Sequence, residues 1–90
     1  MATMSKKQKV LARHALGLPN PQRKSYRNRF LVAEGASGHK EWHGLAVDGL
    51  ARRFPRHNGG LCDLFVLTPD GARLALKRGE RLDPEDFPSA

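Results

Sequence analysis

The stretch from Glu41 to Lys77 constrains the fold of this chain most, because it carries three structural signals in immediate succession. Apolar residues at helical spacing lead to Gly49-Leu50, and two strand-like runs then flank a turn rich in Gly and Arg. Thr68 offers a helix cap, Pro69 suits the first turn, and Asp70 suits the positive end of the helix dipole. A helix, a basic hairpin and a second helix are therefore expected, which predicts a small α+β domain.

An amphipathic first helix is expected between Ser5, a good N-cap, and Leu18, because the prolines that follow cannot continue it. A stripe of basic residues lies beside its apolar face, and His14 within that face predicts a hydrogen-bonded core side chain. Residues 26–33 fit either a helix or a short first strand. The apolar face comprises Val10, Leu11, His14, Ala15 and Leu18, and the stripe comprises Lys6, Lys9 and Arg13.

The central helix is predicted to run from His39 to about Arg53. Asp48 and Arg52 are four residues apart and are expected to form an ion pair on it. The face opposite its core has small residues, which would let the helix approach a nucleic-acid groove closely. The core face comprises Trp42, Leu45, Ala46 and Leu50, and the opposite face comprises Lys40, Gly44, Val47 and Ala51.

From Ala51 to Thr68 the chain is predicted to fold back as a hairpin, with the Asn58-Gly59 pair at its turn. Basic hairpins of this kind can lie along a phosphate backbone. The last helix is expected to end at Gly79. Residues 1–80 are then one domain, and residues 81–90 are an acidic, mobile tail apart from Leu82 and Phe87.

Charge is distributed unevenly along the 90 residues, whose formal net charge is +7. Residues 1–60 carry twelve Lys and Arg against three Asp and Glu, a net charge of +9. Residues 61–90 carry four against six, a net charge of −2. A basic front of this kind favours contact with a polyanion, because Lys and Arg replace the counterions condensed on it.

Catalytic motifs such as GxSxG, the P-loop and GxGxxG are absent from the sequence, so neither an enzyme nor a cofactor is expected. The spacing of His39 and His43 on a helix, with His57 and Cys62 on the hairpin, suggests a zinc site. This site is disfavoured, because small structural sites usually have a CxxC pair. A single cysteine suits a reducing cytoplasm, and no apolar run approaches the roughly 20 residues that cross a bilayer.

Three segments, LARHALGL, YRNRF and GLA followed by LFVLTPDG, resemble an uncharacterised family of small proteins encoded by tailed bacteriophages and prophages. The resemblance covers about residues 7–76 and implies the cytoplasm of a bacterial host cell. The second half also resembles the winged-helix core of repressors of the multiple-antibiotic-resistance type, in Gly49-Leu50, Arg52 to Cys62 and Leu67 to Gly71. This resemblance implies a winged-helix-like domain of about three helices, with the hairpin as its wing.

These observations predict a nucleic-acid-binding protein, with duplex DNA as its partner and a role in transcription regulation. The alternative is a phage-encoded inhibitor of a host protein complex, such as an anti-defence or anti-CRISPR protein. Phosphate contacts are expected from Lys6, Lys9, Arg13, Arg23, Lys24, Arg27 and Arg29, wing contacts from Arg52, Arg53 and Arg56, and positions nearest the bases from Lys40 and His43.

Overall fold

The computed structural model describes the backbone of residues 3–87, and the side chains of these residues except 56–58. Within this range no helix is long and apolar enough to cross a membrane. The prediction of a small α+β domain is confirmed. Its elements in chain order are α1 (Lys6–Leu16), β1 (Phe30–Val32), α2 (His39–Val47), β2 (Ala51–Arg56), the single turn α3 (His57–Gly60), β3 (Cys62–Leu67) and α4 (Pro69–Ala75).

The two helix starts that were predicted from a hydroxyl N-cap are confirmed. The Ser5 hydroxyl accepts a hydrogen bond from the Gln8 backbone N–H at 3.0 Å, while the Gln8 side chain accepts from the Ser5 N–H at 2.9 Å. The Thr68 hydroxyl accepts from the Gly71 N–H at 3.2 Å, with Pro69 in the first turn. These bonds satisfy donors that the first turn of a helix leaves without partners, so the starts were readable from local sequence.

The three strands form an antiparallel sheet in the order β1-β3-β2. The segment that fitted either a helix or a strand therefore contributes β1, which pairs with β3 through Leu31 opposite Leu64. β2 pairs on the other side, with Phe54 also opposite Leu64. Burial alternates along β3, so that one face of the sheet enters the core and the other does not.

A row of aromatic rings fills the centre of the core between the sheet and α2. Trp42 of α2 lies between Phe30 of β1 and Phe65 of β3, with ring centroids 5.3 Å and 5.6 Å away. Trp42 and Phe65 are fully buried. Side chains from α1, α4 and the C-terminal segment surround this row, including Leu16, Ala72 and Phe87, so the three longer helices share one core with one face of the sheet.

The central helix is shorter than predicted, because it ends at Val47 and a positive φ of 76° at Gly49 turns the chain into β2. Ala51 is a buried strand residue opposite Leu67, not part of an exposed helix face. Arg52 lies on β2 as well, so the expected helical pair with Asp48 cannot form. α4 likewise ends at Ala75, four residues before Gly79.

The hairpin between β2 and β3 forms as predicted, but α3 connects its strands instead of a two-residue turn. The side chains of residues 56–58, which include Asn58 of the predicted turn, are outside the part of the chain that the structure describes. Residues 33–38, between β1 and α2, form turns and no helix. The helix-turn-helix pair of a winged helix is thus missing from the described residues, and the winged-helix assignment is not confirmed.

The C-terminal segment is held along the domain by backbone pairing. Arg81 exchanges hydrogen bonds with the residues around Lys24: its N–H donates to the Arg23 carbonyl at 2.9 Å, and its carbonyl accepts from the Ser25 N–H at 3.0 Å. The Asp83 N–H donates to the buried Ser25 hydroxyl at 2.8 Å. Phe87 is buried in the core and Leu82 packs against it.

Two helical glycines provide a matched test of this packing. A Cβ at Gly71 would lie 1.9 Å from the Leu50 carbonyl oxygen, whereas a Cβ at Gly44 would lie 3.0 Å from the end of the Gln8 side chain. We expect Gly71→Ala to lower the free energy of unfolding by at least about 2 kcal/mol, despite the better helix propensity of alanine. Gly44→Ala should stay within about 1 kcal/mol of the parent. Urea titration measures both, and equal effects would contradict the close approach of α4 to Leu50.

Candidate nucleic-acid interface

The buried face of α1 is set by small residues. Ala12, Ala15 and Leu16 are completely buried, and α1 packs closely on α4, whose Ala72 and Ala75 are also completely buried. Because this face of α1 is buried, residues on the opposite face of the helix point to the surface. Val10, predicted to lie in the core, is 62% exposed, and the prediction that His14 is a core histidine is likewise wrong.

The outward face of α1 borders a basic groove of about 460 Å³. Apolar side chains from the helix and the loop after it form part of its wall, and lysine side chains border it. Lys77, which follows α4, is one of them. The lining comprises Lys6, Lys9, Val10, Arg13, His14, Leu18, Pro19 and Lys77.

A second groove, which we call the strand-edge groove, lies beside the basic groove, and His14 borders both. It has about 300 Å³ and is lined by His14, Arg27, Arg29, Phe30 and Leu31. The Arg27 guanidinium donates to the His14 carbonyl oxygen at 2.7 Å and 3.3 Å, at the negative end of the α1 dipole. These bonds fix Arg27 in place, while Arg29 is exposed.

Arg13 belongs to the interior despite its place in the predicted basic stripe. Its side chain and that of Glu80 are both more than nine-tenths buried and form a two-pronged ion pair, with one N–O distance of 2.7 Å. Arg13 also donates to the Ala75 carbonyl oxygen at 3.0 Å. The hydrogen bond from Arg13 lowers the pKa of Glu80 to about 2. The expectation that Arg13 is a surface phosphate contact is therefore dropped.

The three arginines that were predicted to make wing contacts do not share one environment. Arg53 donates to the carboxylate of the buried Asp63 at 2.9 Å and 3.0 Å, and His39 Nε2 lies 2.7 Å from the same oxygen. Arg53 thus compensates the buried charge of Asp63. This structural role could not be predicted from the sequence. Arg52 is exposed on the other face of the sheet. The side chain of Arg56 lies outside the described residues.

The face of α2 that was predicted to enter a groove lies partly against α1. Gln8 of α1 approaches Gly44 and donates to the Glu41 carbonyl oxygen at 3.3 Å. Lys7 forms an ion pair with Glu41 at 3.2 Å. Lys40 and His43 remain exposed on the outer side of α2. They do not line the basic groove or the strand-edge groove.

Arg23 and Lys24 lie in the loop between α1 and β1. Arg23 is exposed and has a positive φ of 54°, and Lys24 is half-buried beside Arg81. Of the predicted cations, Lys6 and Lys9 therefore line the basic groove, and Arg27 and Arg29 line the strand-edge groove beside it. Lys77, which no sequence signal singled out, also lines the basic groove.

The four residues considered for zinc are not gathered by the part of the chain that the structure describes. His39 points to Asp63, and the side chain of His57 lies outside the described residues. In the described range no three His, Cys, Asp or Glu side chains lie close enough to hold a metal ion together.

Comparison of the chain with protein-family models, curated proteins and solved structures found no match.

The buried pair makes stability depend on pH in a defined window. A carboxyl whose pKa falls on folding stabilises the protein above its unfolded pKa, and this contribution is lost as the pH falls through the folded value. We expect the free energy of unfolding to decrease between about pH 5 and pH 2, by at most about 3 kcal/mol from Glu80.

Glu80→Gln should be less stable than the parent at pH 7 by about 3 kcal/mol, because Arg13 remains buried without its counter-charge. Its stability should also change less over the same pH window. Glu85→Gln, an exposed change in the same segment, is the control and should follow the parent. Parallel pH profiles for Glu80→Gln and the parent, measured by chemical denaturation, would refute the role of the pair.

Proposed function

We propose that the protein binds nucleic acid by phosphate contacts along the basic groove and the strand-edge groove. The observation that supports this most is the group of cations that lines these two neighbouring grooves. Four described cations form ion pairs with carboxylates, in the pairs Lys7–Glu41, Arg13–Glu80, Arg53–Asp63 and Arg73–Asp70. The described groove cations Lys6, Lys9, Arg27, Arg29 and Lys77 have no carboxylate at ion-pairing distance.

Lys6, Lys9, Arg27 and Arg29 can therefore direct their charge to a ligand, whereas the Lys77 charge also acts on the Glu80 carboxylate, whose pKa it helps to lower. A phosphate backbone offers a row of such charges, and each contact releases a condensed counterion. His14 borders both grooves, and apolar side chains such as Val10 and Phe30 line them beside the cations. The net charge of +7 adds long-range attraction for a polyanion.

Sequence preference should be weak on this account. The exposed side of α2, with Lys40 and His43, is short, and Glu41 and Asp48 lie close to it in the chain. Contacts to phosphates position a protein without reading bases. The proposed contact set therefore centres on Lys6, Lys9, Arg27, Arg29 and Lys77, and Arg23, Lys24, Arg52 and Arg56 can add charge from neighbouring segments.

Neighbouring lysines on α1 allow a matched test. We expect Lys6→Gln and Lys9→Gln each to reduce the slope of log K against log salt by about 0.7 to 0.9, because each removes one phosphate contact. Lys7→Gln, on the same helix, should leave the slope almost unchanged, because the Lys7 charge is balanced by Glu41 at 3.2 Å. Anisotropy titrations of mixed-sequence DNA from about 50 mM to 200 mM salt measure these slopes.

Two outcomes would count against the proposal. The first is no binding of mixed-sequence DNA, duplex or single-stranded, at about 50 mM salt and tens of micromolar protein. The second is recovery from bacterial lysate of one protein partner that nuclease treatment does not remove. That result would favour the alternative, a phage-encoded inhibitor whose basic grooves meet an acidic protein surface.

A further inference from the structure

The face of the sheet directed away from the core, here called the open face, carries apolar side chains at the surface. It is identified by register: Asp63, Phe65 and Leu67 of β3 are buried, so the residues between them point the other way. Their partners on the neighbouring strands lie on the same face. The open face comprises Leu31, Arg52, Phe54, Cys62, Leu64 and Val66.

One row of this face crosses all three strands. Leu31, Leu64 and Phe54 are direct cross-strand partners, so they form a continuous apolar strip. Leu31 is 38% exposed and Phe54 is 46% exposed. An apolar strip that folding leaves at the surface is typical of a contact site for a partner.

The strip is continuous with the strand-edge groove and has cationic neighbours. Leu31 lines that groove together with Arg27 and Arg29. At the other side of the sheet, Arg52 lies on the open face two residues from Phe54 and opposite Val66. A ligand lying across this face from the groove therefore meets positive charge first and then apolar and aromatic surface, with Arg52 beside Phe54 on the same strand.

This combination of positive charge and apolar surface favours some ligands of the open face over others. A second copy of the chain would bring another net charge of +7 and another Arg52 to the same face, so charge opposes self-association. A duplex has negative charge but hides its bases in the stack. An unstacked nucleotide strand offers phosphates for the arginines and planar bases for Phe54, and base–aromatic stacking tolerates any sequence.

We propose that the open face binds the bases of a single-stranded nucleic acid, with Phe54 as the stacking residue, while the grooves bind its phosphates. This inference rests on the proposed function and narrows its ligand to unpaired strands. Phe54 contacts one base face, Leu31 and Leu64 give the strip its apolar width, and Arg52 binds the phosphate that follows.

The test compares two strands of equal length and equal phosphate charge, one with mixed-sequence bases and one fully abasic. Anisotropy titrations at about 50 mM salt should show the base-bearing strand binding at least about fivefold more tightly. Phe54→Leu, which keeps apolar volume and removes the aromatic face, should abolish most of this difference and leave the abasic affinity unchanged. Phe54→Tyr should restore it. Circular dichroism and melting temperature confirm that the variants fold.

The outcomes separate the two proposals. If neither strand binds, the proposed function fails and this inference fails with it. If both strands bind equally and Phe54→Leu changes neither, the grooves bind phosphate and the open face does not bind bases. A dimer in light scattering that Phe54→Leu dissociates would overturn the inference in favour of self-association. A nuclease-resistant host protein lost from Phe54→Leu would overturn it in favour of a protein partner.

Discussion

The packed row of aromatic rings formed by Phe30, Trp42 and Phe65 is the interaction on which the rest of this domain depends. They come from β1, α2 and β3, and their centroid spacings of 5.3 Å and 5.6 Å are within the range of favourable aromatic contacts. His14 and His39 extend the row at its two ends, each with a ring centroid 5.6 Å from a phenylalanine ring. The row fixes α2 on one face of the sheet and thereby leaves the open face at the surface.

This row contributes by apolar packing and not by hydrogen bonding. The Trp42 indole N–H is buried without a hydrogen-bond partner among the described residues, which costs on the order of 1–3 kcal/mol. Burial of the large ring must outweigh that cost. The cations also differ in their partners: Arg13 and Arg53 compensate buried carboxylates, whereas Lys6, Lys9 and Arg29 have no carboxylate at ion-pairing distance. Part of the basic composition is thus structural, and net charge alone overstates the binding surface.

Local signals explain what could be predicted from sequence. Ser5 and Thr68 mark the starts of their helices, because each caps a backbone N–H only three residues away in the chain. Trp42 and Leu45 lie on one face of a helix because they are three residues apart, independently of distant contacts. Arg13 could not be placed in this way, because its partner Glu80 is 67 residues away in the chain.

The basic groove could not be predicted for a related reason. Small residues in α1 and α4 decide which face of α1 is buried, and a hydrophobicity pattern ranks Val10 above Ala12. The spacing of Ala12 and Ala15, matched by Ala72 and Ala75, is the signal that was present.

We propose that this protein binds nucleic acid through α1, the β1 edge and the open face of the sheet, and not through α2. Amide chemical-shift mapping by NMR, with ¹⁵N-labelled protein and a mixed-sequence single strand, tests it most directly. The account predicts shifts in Lys6–Val10, in Arg27–Leu31 and at Phe54 and Leu64, all suppressed by high salt, with Lys40, His43 and Val47 unchanged. Shifts confined to the outer side of α2 would contradict it.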